Sequence, residues 1–185
     1  MTHTNWVILV DEQDREIGIA EKLFAHEHAR LHRAFSVFIF RKAGENRELL
    51  LQQRALGKYH TGGLWTNTCC SHPSTGEALL TTAERRLQEE MGIQTPLSAV
   101  GRFHYKAQVG QGLIENEMDH VLVGTYPGEP VINQQEVADY RWVNLKALEA
   151  DLLTHPEHYT PWLAEALRIS LKGEGIVILN AKLKL

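Results

Sequence analysis

Apolar residues fall along this chain in two rhythms, and their order predicts its elements. Residues 6–10, 34–41 and 49–53 are short runs of β-branched, aromatic and aliphatic side chains, the composition of strands. The polar stretch 43–47 between the last two predicts a hairpin turn. From 77 to 91 the spacing becomes helical: Leu79, Ala83, Leu87 and Met91 recur every four residues, Leu80 widens the stripe, and Gly92 is placed to end the helix. Segments 99–108 and 113–126 alternate or run apolar as strands around a Gly110-Gln111-Gly112 turn. After the break at Pro127 and Pro130, residues 140–143 predict a strand, 145–153 and 162–171 helices, and 176–179 a closing strand. Strands, one helix, strands and then helices point to an α+β fold or a sandwiched mixed sheet, not to regular βαβ repetition.

No repeat, low-complexity tract or linker divides the 185 residues, so a single domain over 1–185 is expected, with the role of residues 173–185 left open. Residues 56–65 (LGKYHTGGLW) hold three glycines and no periodicity. They predict a surface loop running into a short extended segment, 66–72.

Charge narrows the partners. Nineteen basic residues against 23 acidic ones leave a formal charge of −4, which gives no global positive field for nucleic acid or an anionic membrane. The apolar runs are too short to cross a bilayer and no basic segment precedes a cleavable apolar one. A cytoplasmic protein acting on a small molecule is expected. The two cysteines, Cys69 and Cys70, are neighbours, which rarely meet disulfide geometry, so both should be reduced thiols.

The candidate chemistry lies in short segments. Glu115 and Glu117 are two apart on a predicted strand, so both carboxylates project from one face; a divalent cation would offset their repulsion. Standing alone, such a pair is equally consistent with a solvated acidic strand. Cys70 and His72 alternate likewise, with Ser71 pointing away. His26 and His32 lie in an irregular stretch, AHEHARLH, whose spacing is not that of a zinc-binding helix. Three imidazoles and two carboxylates, if brought together, would suit manganese, magnesium or zinc. Lys22, Arg54, Lys58, Arg85 and Arg86 are ordinary surface charges taken singly and a diphosphate clamp if they converge. Arg86 and Glu90, one helical turn apart, read most simply as an ion pair.

Residues 71–93 resemble a Nudix box, with Glu77, Arg85, Leu87, Glu89, Glu90, Gly92 and Ile93 at matching positions. Ser71 replaces the opening glycine and Arg86 replaces the glutamate after the arginine, which removes a carboxylate that Nudix hydrolysis uses. Together with LHRAFSVFIF, QQRALGKY, GLWTNTCCSHP, LIENEMDHVL and TPW, these departures make the chain resemble type I isopentenyl-diphosphate isomerases over nearly its whole length. The resemblance implies a Nudix-like mixed sheet sandwiched by helices. It implies His26, His32, His72, Glu115 and Glu117 as metal ligands, with His28 the alternative to His26, and Glu90 as the partner of a substrate-bound Mg2+. It implies Lys22, Arg54, Lys58 and Arg86 as diphosphate-binding residues, Cys70 and Glu117 as the catalytic pair with Tyr105 beside the glutamate, and Trp162 as the active-site tryptophan. The ion in the His/Glu site would be Mn2+, Zn2+ or Mg2+, no flavin would be used, and the chain would act on a prenyl diphosphate as a monomer or weak homodimer. In the expected reaction Glu117, assisted by Tyr105, delivers a proton to the alkene and a Cys70 thiolate receives one, with roles swapped in reverse. The competing readings are a Nudix pyrophosphohydrolase and a noncatalytic metal- or phospholigand-binding module.

Overall fold

The computed structural model describes residues 5–44, 46–58 and 60–173; the strand expected at 176–179 lies outside them. Everything is arranged around β3 (His32–Ala43), whose register sets the position of most of the site. Its run from Ala34 to Phe40 is apolar at nearly every position because both faces are covered. Phe38 and Phe40 join Leu49, Leu51 and Val121 under the C-terminal helices, while Phe35, Val37 and Ile39 join Leu50 and Leu122 on the other face. Each face thus has its own core.

On one flank β3 runs parallel to β8 (Ile114–Thr125), with His32 opposite Glu117 and Phe40 opposite Thr125. On the other it pairs antiparallel with the hairpin strand β4 (Asn46–Arg54) and with the short β6 (Cys69–Ser71), where Ser36 faces Cys70. The strand β7 (Ser98–Gln108) forms the second expected hairpin with β8 and sets Tyr105 opposite Glu117. The sheet is completed by β1 (Trp6–Val10), β2 (Glu16–Glu21), β5 (Trp65–Thr66) and β9 (Val137–Asn144).

The helix α2 (Leu79–Met91) seals one face through Ala83, Leu87 and Met91. Leu80, expected in the stripe, is 39 % exposed: the buried face instead continues through Thr82, Arg86 and Glu90, of which Arg86 and Glu90 line the site. Gly92 closes the helix at φ 67°, and its N–H bonds the Gln88 carbonyl. A Cβ there would also meet the Val131 carbonyl oxygen at 2.7 Å, so glycine is required twice over. The opposite face is covered by α3 (Leu145–Thr154) and α4 (Leu163–Gly173). The result is the expected mixed sheet between helices.

Of the stretch AHEHARLH, residues 25–27 end a short helix and 28–31 are turn and irregular backbone, as expected. Residues 16–27 form β2 and a six-residue helix, α1 (Lys22–Glu27), whose first turn is capped by the Glu21 carboxylate accepting from the Phe24 N–H at 2.9 Å. A helix of that length is too short to show a period. Among the described residues, no helix is long and apolar enough to cross a membrane.

Candidate active site and metal centre

At one end of the sheet α1, β3, β6 and β8 converge on a cavity. Alternation along β8 turns both Glu115 and Glu117 into it, at 3 % and 6 % exposure, while Asn116 points away and bonds the Ala29 carbonyl. His32 comes alongside Glu117 through the β3–β8 register, Nε2 3.3 Å from Oε1. His72 follows β6 and reaches the same oxygen at 2.8 Å, and His26 drops from α1 to 3.1 Å from Glu115 Oε2. Donor atoms of these five side chains all lie within 4.8 Å of one another.

The tautomers point the same way. His26 donates its Nδ1–H to the Lys22 carbonyl at 2.6 Å and His32 donates its own to the Arg30 carbonyl at 2.8 Å. A carbonyl only accepts, so in each ring it is Nε2 that faces the carboxylates, with a lone pair whenever the ring is neutral. His32 Nε2 and Glu115 Oε2 are buried without a hydrogen-bond partner. Buried lone pairs facing lone pairs are costly in a dry protein, and a nitrogen and oxygen donor set of this kind fits a divalent cation. These residues therefore fit the ion expected for them.

Burial would raise both carboxyls, and the Glu117 charge would raise Glu115 further, but the imidazoles outweigh these effects. Glu115 is lowered through His26 and His60, and Glu117 is held well below the usual range by His32 and His72. Burial and the Lys22 charge push His72 down to about 3. Burial would also lower His32, yet its contact with Glu117 leaves it raised. The Tyr105 hydroxyl donates a short hydrogen bond to Glu117 Oε2, and burial beside that carboxylate drives the phenol well above its ordinary value.

Cys70 lines the same cavity and receives an N–H from Arg54 at 3.5 Å. Burial pushes its thiol up to about 11, against the pull of Arg54. Burial thus favours the thiol form over the thiolate at Cys70. Its neighbour Cys69 alternates to the other side and is fully buried in the core beneath α2. Ser71 pairs with Phe35, on the face that Cys69 takes, and borders the cavity beside Cys70 and His72. Trp162 forms a wall, fixed by its indole N–H to Asn67 Oδ1 at 3.1 Å, with its ring 6.0 Å from that of Tyr105 and 5.7 Å from the Arg54 guanidinium.

Lys22, Arg54, Lys58 and Arg86 all reach the cavity lining. Burial and the neighbouring charges of Lys58 and Arg54 lower the Lys22 ammonium. Arg86 bonds Glu89 and Glu90, each at 2.6 Å, and approaches Glu136 at 3.6 Å; Lys58 is bonded to the same Glu136. Glu90 also accepts from Gln52 at 3.1 Å. Arg85 stays outside, in ion pairs with Glu77 and Glu89. His28, the alternative to His26, is exposed and stacks on Phe24 instead of entering the cluster. Sequence reasoning missed His60, which bonds Glu115 at 2.8 Å, and Glu136 and Asn67, because isolated loop residues carry no periodic signal.

The NUDIX domain family matches residues 30–164, and this is the class that the sheet, its helices and the box define. Solved structures agree on the fold: a Deinococcus radiodurans protein superposes with a TM-score of 0.71 at 17% identity, over 89% of this chain and 98% of its own. The MutT protein of Methanosarcina mazei does so at 0.61 and 18%, over 78% and 96%. Curated relatives are much nearer. Isopentenyl-diphosphate Delta-isomerase 2 of Aromatoleum aromaticum is 49% identical over 91% of this chain and 90% of its own. The corresponding protein of Photorhabdus laumondii is 50% identical over 87% and 89%, and isomerase 1 of A. aromaticum 52% over 85% and 87%. The chain belongs to the isopentenyl-diphosphate Delta-isomerase family of NUDIX-fold proteins.

Proposed function

We propose that this enzyme interconverts isopentenyl and dimethylallyl diphosphate by adding a proton at one carbon and removing one at another, with Cys70 and Glu117 as the two proton-transfer groups. The observation that carries the assignment is that the Cys70 thiol and the Glu117 carboxylate line one cavity with four cationic side chains. In either direction one group must hold a proton and the other a lone pair. At rest the thiol has the proton to give. It passes to the terminal methylene of isopentenyl diphosphate, the double-bond electrons form the new C–H bond, and the adjacent carbon becomes tertiary and cationic. Glu117 then takes a proton from the neighbouring methylene, whose C–H electrons close the internal double bond. The reverse reaction exchanges the roles.

The remaining residues hold the substrate and shield the cation. Lys22, Arg54, Lys58 and Arg86 would bind the diphosphate, with Glu90 next to Arg86 placed to share a Mg2+ carried by it. Tyr105 orients Glu117 through its hydroxyl. Trp162 presents a ring whose quadrupole stabilises a desolvated cation by up to ~2 kcal/mol, without offering a nucleophile that would capture it. His26, His32, His72, Glu115 and Glu117 would hold Mn2+, Zn2+ or Mg2+, which when bound neutralises the carboxylate pair and polarises Glu117.

Incubation with isopentenyl diphosphate in heavy water, with Mg2+ and Mn2+ supplied, should yield dimethylallyl diphosphate carrying solvent deuterium. Release of phosphate from nucleoside diphosphate derivatives with no deuterium uptake would instead select the hydrolytic chemistry of other NUDIX proteins.

A further inference from the structure

The loop residue His60 belongs to none of the roles assigned so far, yet it is 6 % exposed and its ring lies 5.5 Å from that of His26. Its Nε2 sits 2.8 Å from Glu115 Oε1. The other oxygen, Oε2, faces His26 at 3.1 Å and His32 at 4.0 Å and has no hydrogen-bond partner. Glu115 is thus divided: one oxygen is held from behind and the other is presented to the histidines.

The loop is built to keep it so. Thr61 Oγ1 lies 3.1 Å from His60 Nδ1, and a hydroxyl donating there leaves the ring hydrogen on Nε2, where it points at the carboxylate. Thr61 itself holds φ at 50°, a left-handed conformation that β-branched residues avoid and that persists only where the surroundings enforce it. The enforcement is visible. The Arg54 guanidinium donates to the His60 carbonyl at 3.3 Å, and Gly62 packs so closely that a Cβ would meet the Leu56 carbonyl oxygen at 2.8 Å.

We propose that His60 is a positioning residue for the metal centre, holding Glu115 Oε1 so that the carboxylate can offer the ion a single oxygen. This rests on the reading of His26, His32, His72, Glu115 and Glu117 as the ligand set. Without His60 the carboxylate would be free to turn and offer both oxygens, which would raise the coordination number and loosen the site, as loss of an outer-shell partner generally does.

The test is titration of the chelator-treated protein with Co2+ and with Mn2+ alone, in wild type, His60→Leu and His60→Gln, with folding checked by circular dichroism. His60→Leu should bind about 10–100-fold more weakly. Its Co2+ form should show the weaker visible absorption of a higher coordination number. His60→Gln, whose amide reaches the same position as a donor, should restore both. Unchanged affinity and spectrum in a folded His60→Leu protein would overturn the role of His60 while leaving the ligand set standing. A wild-type chain that binds neither ion, or binds them equally after His72→Ala, would overturn the ligand set and the proposal with it.

Discussion

The adjacent cysteines offer a test in which chemistry and stability separate. Cys70 is partly exposed to the cavity and bonded by Arg54, whereas Cys69, one residue earlier on β6, is fully buried among Phe35, Ala83 and Leu87. Cys70→Ser keeps the size and the polar contact but replaces a thiol by a far weaker acid. Loss of a general acid or base costs about 10²–10⁴-fold in rate, so turnover should fall by that factor. The melting temperature should hardly move. Cys69→Ser has the opposite signature. It places a hydroxyl in an apolar core at a cost of about 1–3 kcal/mol, partly offset where Glu90 accepts from it. For a chain of this length each kcal/mol lowers the melting temperature by about 2–4 °C, giving a fall of roughly 2–12 °C. Turnover per folded molecule should stay within about fivefold of wild type, because an effect below about 1 kcal/mol is all that a group outside the cavity should transmit. Steady-state kinetics and thermal unfolding on the three proteins suffice. A Cys70→Ser enzyme with near-normal turnover, or a stable Cys69→Ser enzyme without it, would refute the assignment of the proton-transfer thiol.

Tyr105→Phe removes the hydroxyl on Glu117, an interaction with a charged group worth about 1.5–3 kcal/mol, so kcat should drop by at most about 10–150-fold with KM little changed; an unaltered kcat would remove Tyr105 from the mechanism. Chelation should lower the melting temperature, since an ion at 100 times its Kd stabilises by about 2.7 kcal/mol, and the shift should vanish in His72→Ala. At the other side of the sheet, Asp14 accepts from Arg33 and His120, each at 2.8 Å, and from Arg102 at 2.9 Å. Burial would raise its carboxyl, but Arg33 and His120 hold it below the ordinary value. A depressed carboxyl stabilises above its unfolded pKa, about 3.9, and the contribution is lost as pH falls through the folded value. The urea-measured stability gap between wild type and Asp14→Asn should therefore be full at pH 6 and shrink below about pH 4; a gap that widens in acid would contradict this.

How much of this was legible beforehand depends on the range of the interaction that fixed each piece. The β3 run and the α2 stripe carry their own periodicity, and both hairpins carry their own turns, so these elements stand close to where the apolar pattern places them. The side-chain alternation that turns Glu115 and Glu117 into one cavity is equally local. What joins them to His32 is the parallel pairing of β3 with β8, 85 positions apart for His32 and Glu117, and no local pattern encodes a register at that distance. The same limit hid α1: its six residues make fewer than two turns, and only packing of Ala25 and His26 against the sheet shows that they are helical. His60 was hidden for a third reason, because a buried histidine in a glycine-rich loop is held by Arg54 beside a strained Thr61, and neither feature has a sequence period.

The exchange of one residue on α2 ties fold to chemistry. Ala83, Leu87 and Met91 anchor the helix in the core, and that anchoring would be served as well by a hydrolase helix with a glutamate at position 86. Arg86 instead meets Glu89, Glu90 and Glu136, so a cluster that would repel a diphosphate is converted into one with a buried cation at its centre. Glu136 is shared with Lys58, which places the two cations side by side at the mouth of the cavity. A carboxylate bridging two cations keeps them ordered while no substrate is bound, and an incoming diphosphate can compete for both with more negative charge and more acceptor oxygens. The site can therefore be preorganised for an anion without leaving bare positive charge buried, a condition that a cluster of cations alone would not satisfy.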